Sequence, residues 1–159
     1  MDFRDVVIKR YSVRHFQSTA VPQKLIKKAI ELAKLAPSAG NLQSYKVVIT
    51  HEKIVSIDAP LYLVICADPD NSASRYGSRG RSLYAIQDAT IFASYLQLVL
   101  IDLGLASVWV GAFSDKVVRK SLHLSKNLRP IAVIPVGYPI VEKHGRKRRS
   151  YEEILFKHA

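Results

Sequence analysis

The chain has 159 residues, 48% hydrophobic and 23% charged, which is ordinary for a folded protein and enough for one domain spanning 1–159 with its own core. Lys and Arg number 24 against 13 Asp and Glu, a net charge of +11 that favours anionic partners such as phosphorylated cofactors or nucleic acid. A single cysteine, Cys66, excludes an internal disulfide, and the charged start Met1–Arg14 does not read as a signal; a soluble, cytoplasmic protein is expected.

In chain order, Asp2–Lys9 reads as a short amphipathic helix with Asp2 as its cap, and Arg10–Phe16 as extended chain. Pro22 opens a helix whose Leu25, Ile26, Ala29, Ile30 and Ala33 recur at helical spacing; Pro37 ends it. Ser38–Gln43 is a loop. Tyr45–Thr50 and Leu61–Ala67 are rich in strand formers, and Cys66 reads as a small core residue of the second. Asp68–Ser82 reads as a polar, basic loop. Ala106–Val110 is a strand, Asp115–Leu122 a helix capped by Ser114, and Ile131–Val136 a buried strand in which Pro135 is awkward for a central position. A basic turn, Lys143–Arg149, and a short helix, Glu152–Lys157, follow. Helices and strands mix without regular alternation, so the class is α+β.

The stretch Leu83–Leu103 organises the rest. It carries no Lys or Arg, only Asp88 and Asp102, and Gly104 stands as its stop. Gln87, Thr90, Ser94 and Gln97 fall in one narrow stripe. A surface helix normally shows a charged outer face, so this one should be buried nearly all round, either by a second copy of the chain or by its own chain wrapping it. Its polar residues argue against a membrane span.

Phosphate-loop, dinucleotide-fingerprint and nucleophile-elbow motifs are absent, and the five His and one Cys have no metal-ligand spacing. No catalytic side chain and no metal site stand out. Three segments could hold a cofactor. Arg10, Ser12 and Arg14 share one face of an extended chain, with Tyr11 and Val13 on the other, which suits a phosphate or, equally, a charged sheet edge. Pro37–Gln43 offers small residues for close approach, with Asn41 and Gln43 as donors and acceptors, or is an ordinary connection. Val108–Phe113 places Gly111 at a strand end, with Trp109 as core or as a stacking platform.

Taken in order, RYSVR, APSAGNLQ, YAIQDATIFASYLQLVLIDLGLASVWVGAF, PVGYP and the basic stretch before YEEIL resemble the nitroreductase family of FMN-dependent enzymes, over nearly the whole chain. The resemblance implies an α+β sandwich, a central mixed or antiparallel sheet flanked by helices, assembled as a homodimer with FMN at the interface. It implies that Arg10, Tyr11, Ser12 and Arg14 bind the cofactor; that Pro37, Ser38, Ala39, Asn41 and Gln43 form the loop a second subunit lays against the flavin; that Val110 and Gly111 lie near its reactive edge; and that Arg146 and Arg148, with Arg149 one residue on, meet the phosphate. It further implies NADH or NADPH as co-substrate and a nitroaromatic, quinone or enone as electron acceptor. Two departures stand out. The family's Gln-Pro-Trp is Gln43-Ser44-Tyr45 here, and only His51–Pro60 joins the first two core strands, where longer members carry a helix. Asp68–Ser82, with Arg75, Tyr76, Arg79 and Arg81, is placed to replace part of the missing pocket wall. The rival readings are a basic nucleic-acid-binding protein and a flavoprotein of the same fold with another redox or sensing role.

Overall fold

A computed structural model describes residues 1–141 and 146–156. Four antiparallel strands form one sheet in the order β1-β2-β4-β3: β1 is Tyr45–Thr50, β2 Leu61–Ala67, β3 Ala106–Ser107 and β4 Arg129–Gly137. The alternation of β2 divides the core. Leu61, Leu63, Ile65 and Ala67 face one side, where helices α2 (Gln23–Ala33) and α4 (Ala85–Asp102) pack; Tyr62, Val64 and Cys66 face the other, against Val118 of α5 (Asp115–Ser121). Helix α1 (Phe3–Lys9) crosses the end of α4, where the Met1 ammonium meets the Asp102 carboxylate at 2.8 Å. The short helix α6 (Tyr151–Ile154) closes the described chain.

Most expected elements stand where the sequence puts them. Asp2 and Ser114 cap α1 and α5 with their side chains, and β1 and β2 have the expected bounds. Pro135 is tolerated inside β4 for a local reason. Its carbonyl accepts from Val108 at 3.4 Å on the β3 side, so its missing N–H also faces that side, where β3 pairs through only Ala106 and Ser107. That shortness is a correction: the expected strand 106–110 breaks at Trp109, and Val110 rejoins the sheet by exchanging both backbone bonds with Val133.

The larger correction concerns 68–82. In place of a loop, helix α3 (Pro69–Arg79) runs through a single wide turn, Gly80–Tyr84, straight into α4. Local composition is poor for a helix, but Asp68 caps it by accepting from Asn71 N–H, Pro69 opens it, and Ser72 is buried. Gly77 bends it at φ 56°. The carbonyl of Ser72 lies 2.5 Å from where a Cβ on Gly80 would be, so only glycine lets the wide turn fold back onto α3.

Helix α4 is not covered all round by its own chain. Ala85, Asp88, Ala89, Phe92, Ala93, Leu96, Gln97 and Leu100 are buried, while Gln87, Ser94, Tyr95 and Asp102 are exposed and Ile91, Leu98 and Ile101 half-buried along one face. The expected polar stripe divides: Gln97 turns inward and donates to the Ser107 hydroxyl at 3.2 Å. Half of the most apolar window of the α3–α4 rod is buried inside the domain, as a core helix is. The expected C-terminal helix begins at Tyr151 and ends at Ile154; Lys157 lies outside the described residues, as do Lys143 and His144 of the basic turn.

Candidate functional site

Two regions hold the residues singled out in the sequence, and α4 lies behind both. The first is a groove of about 640 Å³. Its floor is the extended segment 10–15, held against β3 by Val13 N–H donating to Ser107 (3.1 Å). Val13 is buried while Ser12 and Arg14 face out, as alternation requires. Arg10, Arg14, Arg146 and Arg148 line the groove with Ser12 and His15, and among the described residues no carboxylate lines it. Arg149 is exposed and is not part of the lining. Burial, then the positive field of Arg148, pulls the Arg10 guanidinium below its ordinary pKa. Two cations in one concave, partly desolvated place repel each other until an anion joins them. Tyr11 also lines the groove, but its hydroxyl donates to the Val141 carbonyl at 2.5 Å and fastens the opposite wall. Sequence reasoning missed that wall, Ile140 and Val141, because only the return of the chain beside Gln17 brings it there: Gln17 N–H donates to Tyr138 and its amide to Pro139.

The second region is the loop 37–43, at the other end of α4 and outside the groove. It is a turn in which Gly40 (φ 56°), Asn41 (φ 57°) and Gln43 (φ 50°) are left-handed. Asp88, 2% exposed, holds it: the carboxylate accepts from Ala39 N–H at 2.9 Å and, more loosely, from Ser44 N–H at 3.4 Å. The Ser38 hydroxyl accepts from Gln43 N–H, and the Asn41 and Gln43 side chains approach each other at 3.4 Å. From α3, the Asn71 amide donates to the Leu42 carbonyl (2.9 Å) and the Ser44 hydroxyl (3.2 Å). Pro37 and Ser38 lead into this turn from α2. Asp88 and Asn71 were not singled out from sequence; the signal for Asp88 was there, as one of two acids in a run otherwise without charge. The Tyr45 ring, at the third position of Gln43-Ser44-Tyr45, stacks on Phe92 with centroids 4.4 Å apart. It belongs to the core, and burial, then Asp88, pushes its hydroxyl above the usual tyrosine pKa.

Gly111 is exposed just past the Val110–Val133 bridge. The nearest atom to a Cβ built there is Trp109 Nε1 at 3.5 Å, ordinary contact, so nothing in its own chain requires glycine at this point. Trp109 is half-buried against the core. Among the described residues no group of His, Cys, Asp and Glu could hold a metal ion. The Cys66 thiol is buried in the sheet and pushed up to about 11, chiefly by desolvation, so it is no nucleophile.

The fold has close counterparts. A nitroreductase family protein from Clostridium difficile 630 has a solved structure that superposes with a TM-score of 0.88 at 30% identity, covering 100% of this chain and 99% of that one. A solved FMN-dependent nitroreductase from Clostridium difficile R20291 gives 0.81 at 25% identity, over 98% of this chain and 99% of the other. The sequence is 25% identical to an NADH dehydrogenase of Thermus thermophilus, covering 98% of this chain and 95% of that protein. The model of the nitroreductase family matches residues 7–56 and 54–138, which include the groove floor, the loop 37–43, α4 and Gly111. By its sequence and its fold, the chain belongs to the nitroreductase family.

Proposed function

We propose that the protein is an FMN-dependent oxidoreductase that takes hydride from NADH or NADPH and passes two electrons to a nitroaromatic, quinone or enone-type acceptor in ping-pong order. The observation that carries the reading is the groove. Four arginines and a serine hydroxyl line one concavity, with no carboxylate among the described lining residues, a donor set matched to a phosphate monoester. Arg10, Arg146 and Arg148 would hold that phosphate, with Arg149 the alternative one residue on, and Ser12 and Arg14 the ribityl chain and the pyrimidine edge. Tyr11, tied to Val141, keeps the groove's walls at a fixed spacing. Val110 and Gly111 would meet the ring edge through backbone atoms, and the missing Cβ leaves room for close approach.

When bound, FMN supplies the hydride-accepting and hydride-donating chemistry that the side chains lack. The protein's own share is orientation and charge. The guanidiniums and backbone donors favour negative charge on what they hold, and the turn 38–43, tied by Asp88 and by the Ser38 hydroxyl, would present Asn41 and Gln43 to the ring. No side chain is required as a nucleophile.

We further propose a homodimer, in which Pro37, Ser38, Ala39, Asn41 and Gln43 of one copy complete the flavin site of the other. Three features support this. The loop and the groove do not share a pocket in one chain. The face of α4 bearing Tyr95, 44% exposed, lacks a cover. Apolar side chains at both ends of the chain also stand in solvent, Phe3 at 70% and Phe156 at 89% exposure. Separately, the name of the C. difficile R20291 relative, an FMN-dependent nitroreductase, and that of the Thermus relative, an NADH dehydrogenase, support the cofactor and hydride donor proposed above.

The test is spectroscopic. Purified protein, supplied with FMN, should carry flavin absorbance at one FMN per chain, sediment as a dimer and bleach under NADH or NADPH without oxygen. Colourless monomers that ignore added FMN would overturn the proposal.

A further inference from the structure

Helix α3 and the wide turn after it build a second cationic surface, apart from the groove. The Arg75 guanidinium lies over the Tyr76 ring at 5.5 Å. Tyr76 meets Tyr84 edge to face, with centroids 5.2 Å apart. The Arg79 guanidinium lies over Tyr84 at 5.5 Å, and its Nε donates to the Tyr84 hydroxyl at 3.0 Å. Four side chains thus alternate cation, ring, ring, cation. They come together only because the chain bends at Gly77 and folds back at Gly80, which carries Tyr84 beside Tyr76. Irregular helical turns of this kind are common at functional sites.

Charge bookkeeping separates this ladder from an ordinary solvated face. Arg81 on the same turn is neutralised by Asp70. Arg75 and Arg79 form no ion pair among the described residues, and both are exposed. Stacking on a ring fixes each guanidinium plane in advance and leaves its outward N–H groups for a ligand. The ladder also touches the candidate flavin loop. A Cβ on Gly40 would lie 2.5 Å from the Tyr76 hydroxyl and 2.9 Å from Arg75 Nη1, so the α3 side chains rest directly on that turn.

We infer that the Arg75–Tyr76–Tyr84–Arg79 ladder docks the phosphate groups of the reduced nicotinamide dinucleotide while its nicotinamide occupies the flavin site. The inference rests on the proposed function. A cationic, ring-bearing surface beside the flavin loop matches a donor whose far half is a phosphorylated nucleoside. The phosphate recognised is either the pyrophosphate common to NADH and NADPH or the 2′-phosphate of NADPH alone.

The experiment compares the parent with Arg75→Ala/Arg79→Ala in two assays. Calorimetric titration with ADP-ribose and with its 2′-phosphate reads docking without any redox step. Anaerobic flavin reduction is followed with NADH, with NADPH and with N-benzyl dihydronicotinamide, a hydride donor lacking phosphate and adenosine. Loss of two exposed charge-assisted contacts should weaken dinucleotide docking roughly tenfold or more. It should raise the half-saturating NAD(P)H concentration to match, and leave FMN affinity and the rate with the benzyl donor unchanged. A loss confined to the 2′-phosphorylated probe assigns that phosphate; an equal loss with both probes assigns the pyrophosphate. Arg75→Lys/Arg79→Lys keeps the charge without the planar fork and should recover part of the binding, which guards against a folding defect. Equal titrations of parent and Ala variant, or equal slowing with all three donors, would overturn the ladder's role. A parent that takes up no FMN and is reduced by no donor would instead overturn the proposed function.

Discussion

Asp88 offers the sharpest test of how the loop 37–43 is held. Replacing it with alanine removes an acceptor of Ala39 N–H at 2.9 Å and of Ser44 N–H at 3.4 Å, and Ser44 is fully buried. An unpaired buried donor costs about 1–3 kcal/mol, so counting the short bond fully and the long one at about half gives a loss of about 2–4 kcal/mol. Relief from burying a carboxylate opposes this and brings the expectation to about 2 kcal/mol. Asn41 and Gln43 sit in left-handed backbone, which costs about 1 kcal/mol each for residues other than glycine. The two amounts are comparable, so the turn should leave its conformation before the domain unfolds. In this size range about 2 kcal/mol lowers the melting temperature by about 4–8 °C. Hydrogen exchange at the Ala39 and Ser44 amides should accelerate, and FMN affinity should fall in parallel. Asp88→Asn, which keeps one oxygen for Ala39, should show about half the loss. An Asp88→Ala protein that melts with the parent and keeps its Ala39 amide protected would refute the account.

The groove and the thiol give two further expectations. Arg10→Ala or Arg148→Ala should weaken FMN binding roughly ten- to a hundredfold, since each removes a charge-assisted contact of about 1.5–3 kcal/mol, with a shallower dependence on salt; fluorescence titration of FMN at two salt concentrations checks both. Cys66 carries a folded-state pKa raised from 9.0 to about 11, so its contribution to stability is complete below pH 9 and is lost as the pH rises through 11. That loss is on the order of 3 kcal/mol, and urea unfolding at pH 8 and pH 10.5 should show a fall in stability that is smaller in Cys66→Ala.

Much of the architecture was legible because it follows local rules. Richness in strand-forming side chains marked β1 and β2, and Asp2 and Ser114 announced their helices. Arg10, Ser12 and Arg14 were readable as one face because an extended chain alternates, and the groove gathers them with Arg146 and Arg148. What stayed hidden depends on distant partners. Composition alone makes 68–82 a loop; the bonds from Asn71 to Leu42 and Ser44, and the burial of Ser72, make it a helix. Gln97 looked like one more residue of a single polar stripe; its bond to Ser107 sets it apart from the exposed Gln87 and Ser94. The Arg–Tyr ladder could not be read from spacing, because two glycine bends bring Tyr84 back to Tyr76.

Helix α4 also acts as a gauge. Asp88 near one end sets the height of the turn at 38–44, and Gln97, nine residues on, sets that of Ser107 and, through it, of the strip bearing Ser12 and Arg14. One residue inserted between them would push these fittings apart by about 1.5 Å and swing one past the other by about 100°. Substitutions along this rod can be absorbed one at a time; a change in its length cannot, so its residue count should be the most tightly held dimension of the molecule.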